Sequence, residues 1–201
     1  TYVSRAFSSM PGLASFIAAQ VRTGELKKYL IQPIDLIGFL LLSRIAHKLV
    51  YFAVATGPFA IVFFFCRDYF PGRPDPATLA AFVLSLLMAF LLGFFLEATL
   101  GMIGFWFLEV SSLLFVYMLF NFFLSGHMFP LTILPSPWDK IVLAQPLQYL
   151  AYFPSAVFLG KIQGPALVQG LALQAAWVLL FAGTSRVAYR MGLRRYSAFG
   201  G

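Results

Sequence analysis

From Ala77 to Asn121 the chain is apolar apart from small hydroxyls and two acids, Glu97 and Glu109. A run of this length has few ways to fold. In lipid the backbone must satisfy its own hydrogen bonds, so the run is read as two spanning helices, each needing roughly 20 residues. Gly101 and Gly104 mark a tight connection between them, which gives spans at about 78–100 and 105–125. The rest of the chain is consistent with a bilayer as its solvent. Its 201 residues are 61% hydrophobic and 10% charged, with a mean hydropathy of +0.86, whereas soluble domains carry about 25% charged residues. The expected fold is an all-α membrane protein, a polytopic helical bundle.

Two more spans fit, at about 36–66 and 166–188, making four. Arg44, His47 and Lys48 fall near one face of the first and read as interfacial residues, with the two long cations snorkelling to the headgroups. Gly57-Pro58 is expected to kink the same helix. Arg22, Lys27, Lys28, Arg44, Lys48, Arg186, Arg190, Arg194 and Arg195 collect on one side of these spans, hereafter the near side. Arg67, Arg73, Lys140 and Lys161 fall on the other. The positive-inside rule places 21–35 and the C-terminus in the cytoplasm. The net charge of +7 and pI near 9.8 are therefore topology signals, and no nucleic-acid module accompanies them. Cys66 is alone and forms no internal disulfide. Thr1 is not a start methionine, and 1–20 is neither a signal peptide nor a span, so the sequence is expected to lack an N-terminal portion.

Two regions interrupt the oil. In the first, 1–35, Pro11-Gly12 breaks a mixed segment that lies on the membrane surface or fills a groove. Apolar positions 13, 16, 17 and 21 then predict a helix ended by Gly24, followed by a short helix over 25–31 that stops before Pro33. The second is 126–160. Gly126 opens it, and Pro130, Pro135, Pro146 and Pro154 cut it into pieces too short to span, while Trp138, Tyr149, Tyr152 and Phe153 suit the headgroup level. Short helices that dip into the outer leaflet and return are expected. His127 reads as a capping or interfacial residue, since no spaced ligand could join it on a metal.

Glu97 and Glu109 are placed at the near-side membrane boundary, either as interfacial carboxylates with a partner or as a gate or subunit contact. Tyr117, Asn121 and Ser125 recur at i, i+4 and i+8 and share a helix face. They bond neighbouring helices or line a transport pathway. No phosphate-binding loop, His-Glu-x-x-His or Gly-x-Ser-x-Gly occurs. The chain is read as a non-enzyme that binds no metal or cofactor of its own.

Several pieces in order resemble one family. They are Arg22-Thr-Gly-Glu-Leu-Lys-Lys-Tyr-Leu-Ile-Gln-Pro-Ile, Gly104-Phe-Trp-Phe-Leu-Glu, Leu124-Ser-Gly-His-Met-Phe-Pro-Leu with Leu134-Pro, Gln145-Pro-Leu-Gln-Tyr, Tyr152-Phe-Pro and Gly192-Leu-Arg-Arg-Tyr. Together they resemble the integral-membrane permease of type-2 ATP-binding-cassette exporters, in the branch that pairs with daunorubicin-resistance-like ATPases. The resemblance implies six spans in a complete member, of which these four are the third to sixth. It also implies a bacterial plasma-membrane exporter subunit paired with a second permease, and a separate ATPase that holds ATP and magnesium. Arg22, Gly24, Glu25, Leu26, Lys27, Lys28 and Pro33 then belong to a cytoplasmic coupling segment (1–35), with Glu25 and Leu26 carrying the mechanical link. Residues 36–201 form the transmembrane domain, with Gly126 to Pro154 as a re-entrant hairpin. The cargo is not implied. Two other readings stay open: a proton-driven secondary transporter using Glu97, Glu109 and His127, and a non-transporting membrane scaffold. The lack of an internal repeat weighs against the former.

Overall fold

The computed structural model describes residues 2–65, 75–107, 109–126, 128, 131 and 138–196. The described residues form helices and turns with no strand: α1 Tyr2–Ser8, α2 Leu13–Arg22, α3 Lys27–Leu30, α4 Leu36–Phe65, α5 Pro76–Met102, α6 Ser111–Leu124, α7 Trp138–Ala144, α8 Gln148–Phe158 and α9 Gly164–Arg195. Three of them, α4, α5 and α9, are long and apolar enough to cross a membrane. The chain is a multi-pass helical membrane protein.

Local chemistry sets where the long helices begin. Asp75 caps α5 by accepting from the Ala77 amide at 3.1 Å, and Pro76 fills the first turn, where no amide donor is needed. Asp35 caps α4 in the same way, accepting from Gly38 at 2.8 Å. Pro58, where a kink is expected, lies inside α4, which continues as helix to Phe65.

Helix α5 is the post around which the others stand. Of its most apolar window 44% is buried, against 11% in α4 and 6% in α9. One side of α5, through Phe90, Phe94, Ala98 and Met102, packs with Met10, Leu13, Ile17 and Val21 of the α1–α2 region and with Leu36, Ile37 and Leu40 of α4. The other side, through Leu92 and Leu96, packs with Leu150, Phe153 and Val157 of α8 and Val178 of α9. Of the two expectations for 1–20, groove filling is the one realised. A Cβ added at Gly93 would lie 2.2 Å from the Ser8 carbonyl oxygen, and one at Gly101 2.9 Å from that of Ala14. Backbone therefore rests on backbone along this face, as small residues permit between membrane helices. Gly93 lies nine residues before Met102, so α1 touches α5 roughly 13 Å in from its near end at 1.5 Å per residue. Still further in, Ser4 Oγ is 3.1 Å from Ser155 Oγ of α8.

Two expectations need correction. The span at 105–125 is shorter than expected, because Ile103–Phe105 form a 3-10 turn and α6 begins only at Ser111. Its 14 residues reach about 21 Å, less than the roughly 30 Å hydrocarbon core. The aromatics of 126–160 are also not all at headgroup level. Trp138 is exposed, but Tyr149 and Phe153 are buried in the bundle, where Gly170 of α9 leaves room for the Phe153 ring.

Candidate functional site

The near-side surface is built by the turn after α2. Gly24 takes a left-handed conformation (φ 73°) that a side chain would strain, which turns the chain out of α2 and into α3. Lys27 and Lys28 are exposed on the short α3, as are Ile31 and Pro33 after it. Glu25 is less forward. It accepts from Gln20 at 3.3 Å and pairs with Lys28 at 3.2 Å, and these contacts hold its carboxyl below the usual carboxylate range, the Lys28 hydrogen bond first. Leu26, expected to carry the mechanical link with Glu25, faces inward. It is 1% exposed and sits in the core with Val21 and Leu36. It anchors the segment, and its neighbours present the surface.

The segment is tied to three membrane helices. Arg22 reaches Glu109 at 3.7 Å, and the Glu109 carboxylate accepts from the Ser111 amide at 2.7 Å, capping α6. Those Ser111 hydrogen bonds, more than Arg22, hold the Glu109 carboxyl below its usual range. At the other end Asp35 pairs with Arg186 of α9 while capping α4. These pairs are exposed and of small energy. Their value is geometric, since one short segment touches the starts of α4 and α6 and the near end of α9.

A second constellation lies deeper, at the break between α1 and α2. Lys48 Nζ donates to the Ala6 carbonyl and to Ser9 Oγ at 3.5 Å, and Arg44 donates to the Pro11 carbonyl at 3.2 Å. Glu97 of α5 faces the same break from the other side, lining one cavity with Ala14 at the start of α2. Cations thus face the carbonyl end of α1 and an anion faces the amide end of α2, the sense that helix dipoles favour. Arg44 and Lys48 are bound to protein, not only snorkelling, and Glu97 faces the start of α2. The residues expected at the membrane boundary gather around the break between α1 and α2.

Beside this break is a cavity of about 510 Å³, closed by Ser8, Ser9 and Ser15 of the α1–α2 region, Glu97, Leu150 and one face of α6. That face carries Tyr117 and Asn121, with Phe115, Met118 and Phe122 around them. Of the gate candidates, Glu97, Tyr117 and Asn121 are brought together here. Glu109 is not, and Ser125 is buried behind the cavity, its carbonyl accepting from the Tyr152 amide at 3.0 Å.

A family model described as ABC-2 family transporter protein matches residues 6–200. The chain belongs to the ABC-2 transporter family. Comparisons with curated proteins and with solved structures give no match. Membership of this family makes the chain a membrane-embedded transport subunit, in agreement with the resemblance read from the sequence.

In this ABC-2 subunit the described residues of the region expected to form a re-entrant hairpin hold helix to helix. Gly126 has φ 82° and would place a Cβ 2.8 Å from that of Tyr152, so only glycine fits. Pro146 lies at the turn between α7 and α8, beside Gln145, whose amide donates to the Leu124 carbonyl at 2.9 Å and accepts from the Leu147 amide at 2.8 Å. Pro154 is buried inside α8. Pro130, Pro135 and His127 lie outside the described residues. Sequence reading missed Gln174, which is fully buried and donates to the carbonyls of Ser85 at 2.9 Å and Tyr149 at 3.3 Å, joining α9 to α5 and α8. Its only signal was a polar amide within an apolar run. Asp35–Arg186 was missed for a plainer reason: the partners are far apart in the chain.

Proposed function

We propose that this subunit exports its cargo using the power of a separate ATPase that docks on 22–35, and that it works as one of a pair of permeases in a bacterial plasma membrane, with both 21–35 and the C-terminus cytoplasmic. The observation that carries the reading is the triple attachment of the docking segment. A push on Lys27, Lys28 and Ile31 is delivered through buried Leu26 to the core, through Arg22–Glu109 to α6 and through Asp35–Arg186 to α9. Coupling needs contacts that differ between nucleotide states of the partner, and an exposed basic segment outside the spans can supply them.

The cavity against α6 supports a substrate path. Asn121 makes no side-chain hydrogen bond to another described residue, so its amide is free for a passing molecule. The wide apolar faces of α4, α6 and α9 support assembly with a second permease, because one chain of three long helices encloses little on its own. ATP and magnesium belong to the ATPase in this reading.

The test is reconstitution of the permease with its co-expressed ATPase in proteoliposomes. ATP-dependent flux is expected, and Lys27→Glu/Lys28→Glu should abolish ATPase capture while leaving the permease monodisperse. Flux driven by a pH gradient in the absence of any ATPase would overturn the reading in favour of a secondary transporter.

A further inference from the structure

We propose that the groove between the near end of α5 and α9 is a binding site for an anionic phospholipid, with an acyl chain lying along α9 and the phosphate on Arg194 and Arg195. The groove holds about 580 Å³ and is walled by Thr99 and Trp106 on one side and by Leu180, Gly183, Val187 and Met191 on the other. Its hydroxyls ask nothing of a ligand. Thr99 Oγ1 donates to the Phe95 carbonyl at 2.7 Å and Thr184 Oγ1 to that of Phe181 at 3.1 Å. The occupant is therefore hydrocarbon.

The α9 positions that line the groove, 180, 184, 187 and 191, follow one helical stripe. Continued by one more turn, that stripe reaches Arg194 and Arg195. Both are exposed, and neither has an ion-pair partner among the described residues, in contrast to Arg186, which Asp35 holds. An apolar trough that ends one turn short of two free cations fits a chain with an anion at its end. Trp106 adds an amphipathic ring of the kind that settles at the membrane boundary, and basic clusters beside a span attract anionic headgroups. A second copy of this chain fits less well. A two-fold contact along the same stripe would set Arg194 and Arg195 against the same pair, a like-charge juxtaposition.

Gly183 gives the test its control. A Cβ there meets nothing within 4 Å, so Gly183→Leu fills the groove without displacing a neighbour. The protein carrying Trp138→Phe and Trp177→Phe is placed in phosphatidylcholine vesicles containing a small fraction of brominated phosphatidylglycerol, or of brominated phosphatidylcholine, and quenching of Trp106 is read. The brominated phosphatidylglycerol is expected to compete about tenfold better, as two cations near a headgroup allow. Arg194→Gln/Arg195→Gln should bring the two lipids to parity, Arg194→Lys/Arg195→Lys should restore the preference, and Gly183→Leu should protect Trp106 from both. Native mass spectrometry of the protein with all three tryptophans should retain phosphatidylglycerol over phosphatidylcholine in the same order of variants. Equal quenching by both lipids in the parent, or a preference that survives the glutamine pair, would overturn the site. Absence of quenching by either lipid would also overturn it, and would assign the groove to protein.

Discussion

Leu26 and Ile31 are five residues apart in the docking segment and should fail in opposite ways. Leu26 is 1% exposed and Ile31 is 83% exposed. Leu26→Ala removes an isopropyl group from a core shared with Val21, Leu36, Ile37 and Phe105, and buried Leu→Ala changes cost about 2–5 kcal/mol because surroundings relax only in part. For a chain of this size that corresponds to a fall in melting temperature of about 5–15 °C. Ile31→Ala removes side chain that solvent or a partner already covers, and should move the melting temperature by no more than about 2 °C, as surface substitutions do. The assay is loss of the monodisperse peak on size exclusion after heating, run beside capture of the ATPase at a temperature where both variants are folded. Ile31→Ala should weaken capture several-fold, and Leu26→Ala should capture normally once folded. An unchanged melting temperature for Leu26→Ala would refute the packed anchor. Normal capture by Ile31→Ala together with lost capture by folded Leu26→Ala would refute the assignment of the outer face.

Asp35 should make stability fall in acid. Its carboxyl is held below the ordinary value of about 3.9, chiefly by the hydrogen bond from Arg186, which outweighs the opposing effect of burial, with the Gly38 amide adding less. The stabilisation is complete above the unfolded value and is lost as pH falls through the lower folded one. With side chains 47% and 44% exposed it amounts to about 1 kcal/mol at most. Between pH 5 and pH 3, on the order of the carboxylate range, the parent should lose more melting temperature than Asp35→Asn, and parallel curves would sink the idea. Ser4→Cys/Ser155→Cys, in a Cys66→Ser background, should crosslink in membranes, because the two hydroxyls are 3.1 Å apart. Gly93→Ala should suppress that crosslink, since its Cβ would strike the Ser8 carbonyl at 2.2 Å; a full yield would mean α1 does not depend on this contact. A cysteine at Asp75 should react with an impermeant label from outside intact cells, and one at Lys27 only after permeabilisation. The reverse pattern would invert the orientation.

The long helices were legible because their signals are local. Asp75-Pro76 and Gly164-Pro165 stand next to the apolar runs they open, and α5 starts within two residues of the expected 78. The start of α6 was not, because Glu109 caps Ser111 only after the chain has left the 3-10 turn at Ile103–Phe105, where Gly104 lies against Ala18. The roles of Arg44 and Lys48 were hidden for a related reason. Their partners are backbone carbonyls of Ala6 and Pro11, and a carbonyl carries no sequence signature. Spacing put Tyr117 and Asn121 on one face correctly, but only packing brought Glu97 opposite them. Burial, too, was unreadable at Leu26, since a leucine in a polar stretch carries no sign of whether it faces outward or, as here, into the core.

The glycine-lined face of α5 also orders events during synthesis. Residues 2–22 leave the ribosome before α5, and the surface that receives them, from Gly93 to Gly104, is made roughly 80 residues later, on the order of 4–16 s at ordinary elongation rates. Through that interval Met10, Leu13 and Ile17 have no α5 to bury against, and the α1–α2 break has no Glu97 beside it. Helix α4 emerges in between, bringing Arg44 and Lys48 to the α1–α2 break before the acid arrives. The nascent chain therefore passes through a state with unbalanced cations and exposed apolar side chains in the α1–α2 region, a stage that leaves an insertase or chaperone much to hold.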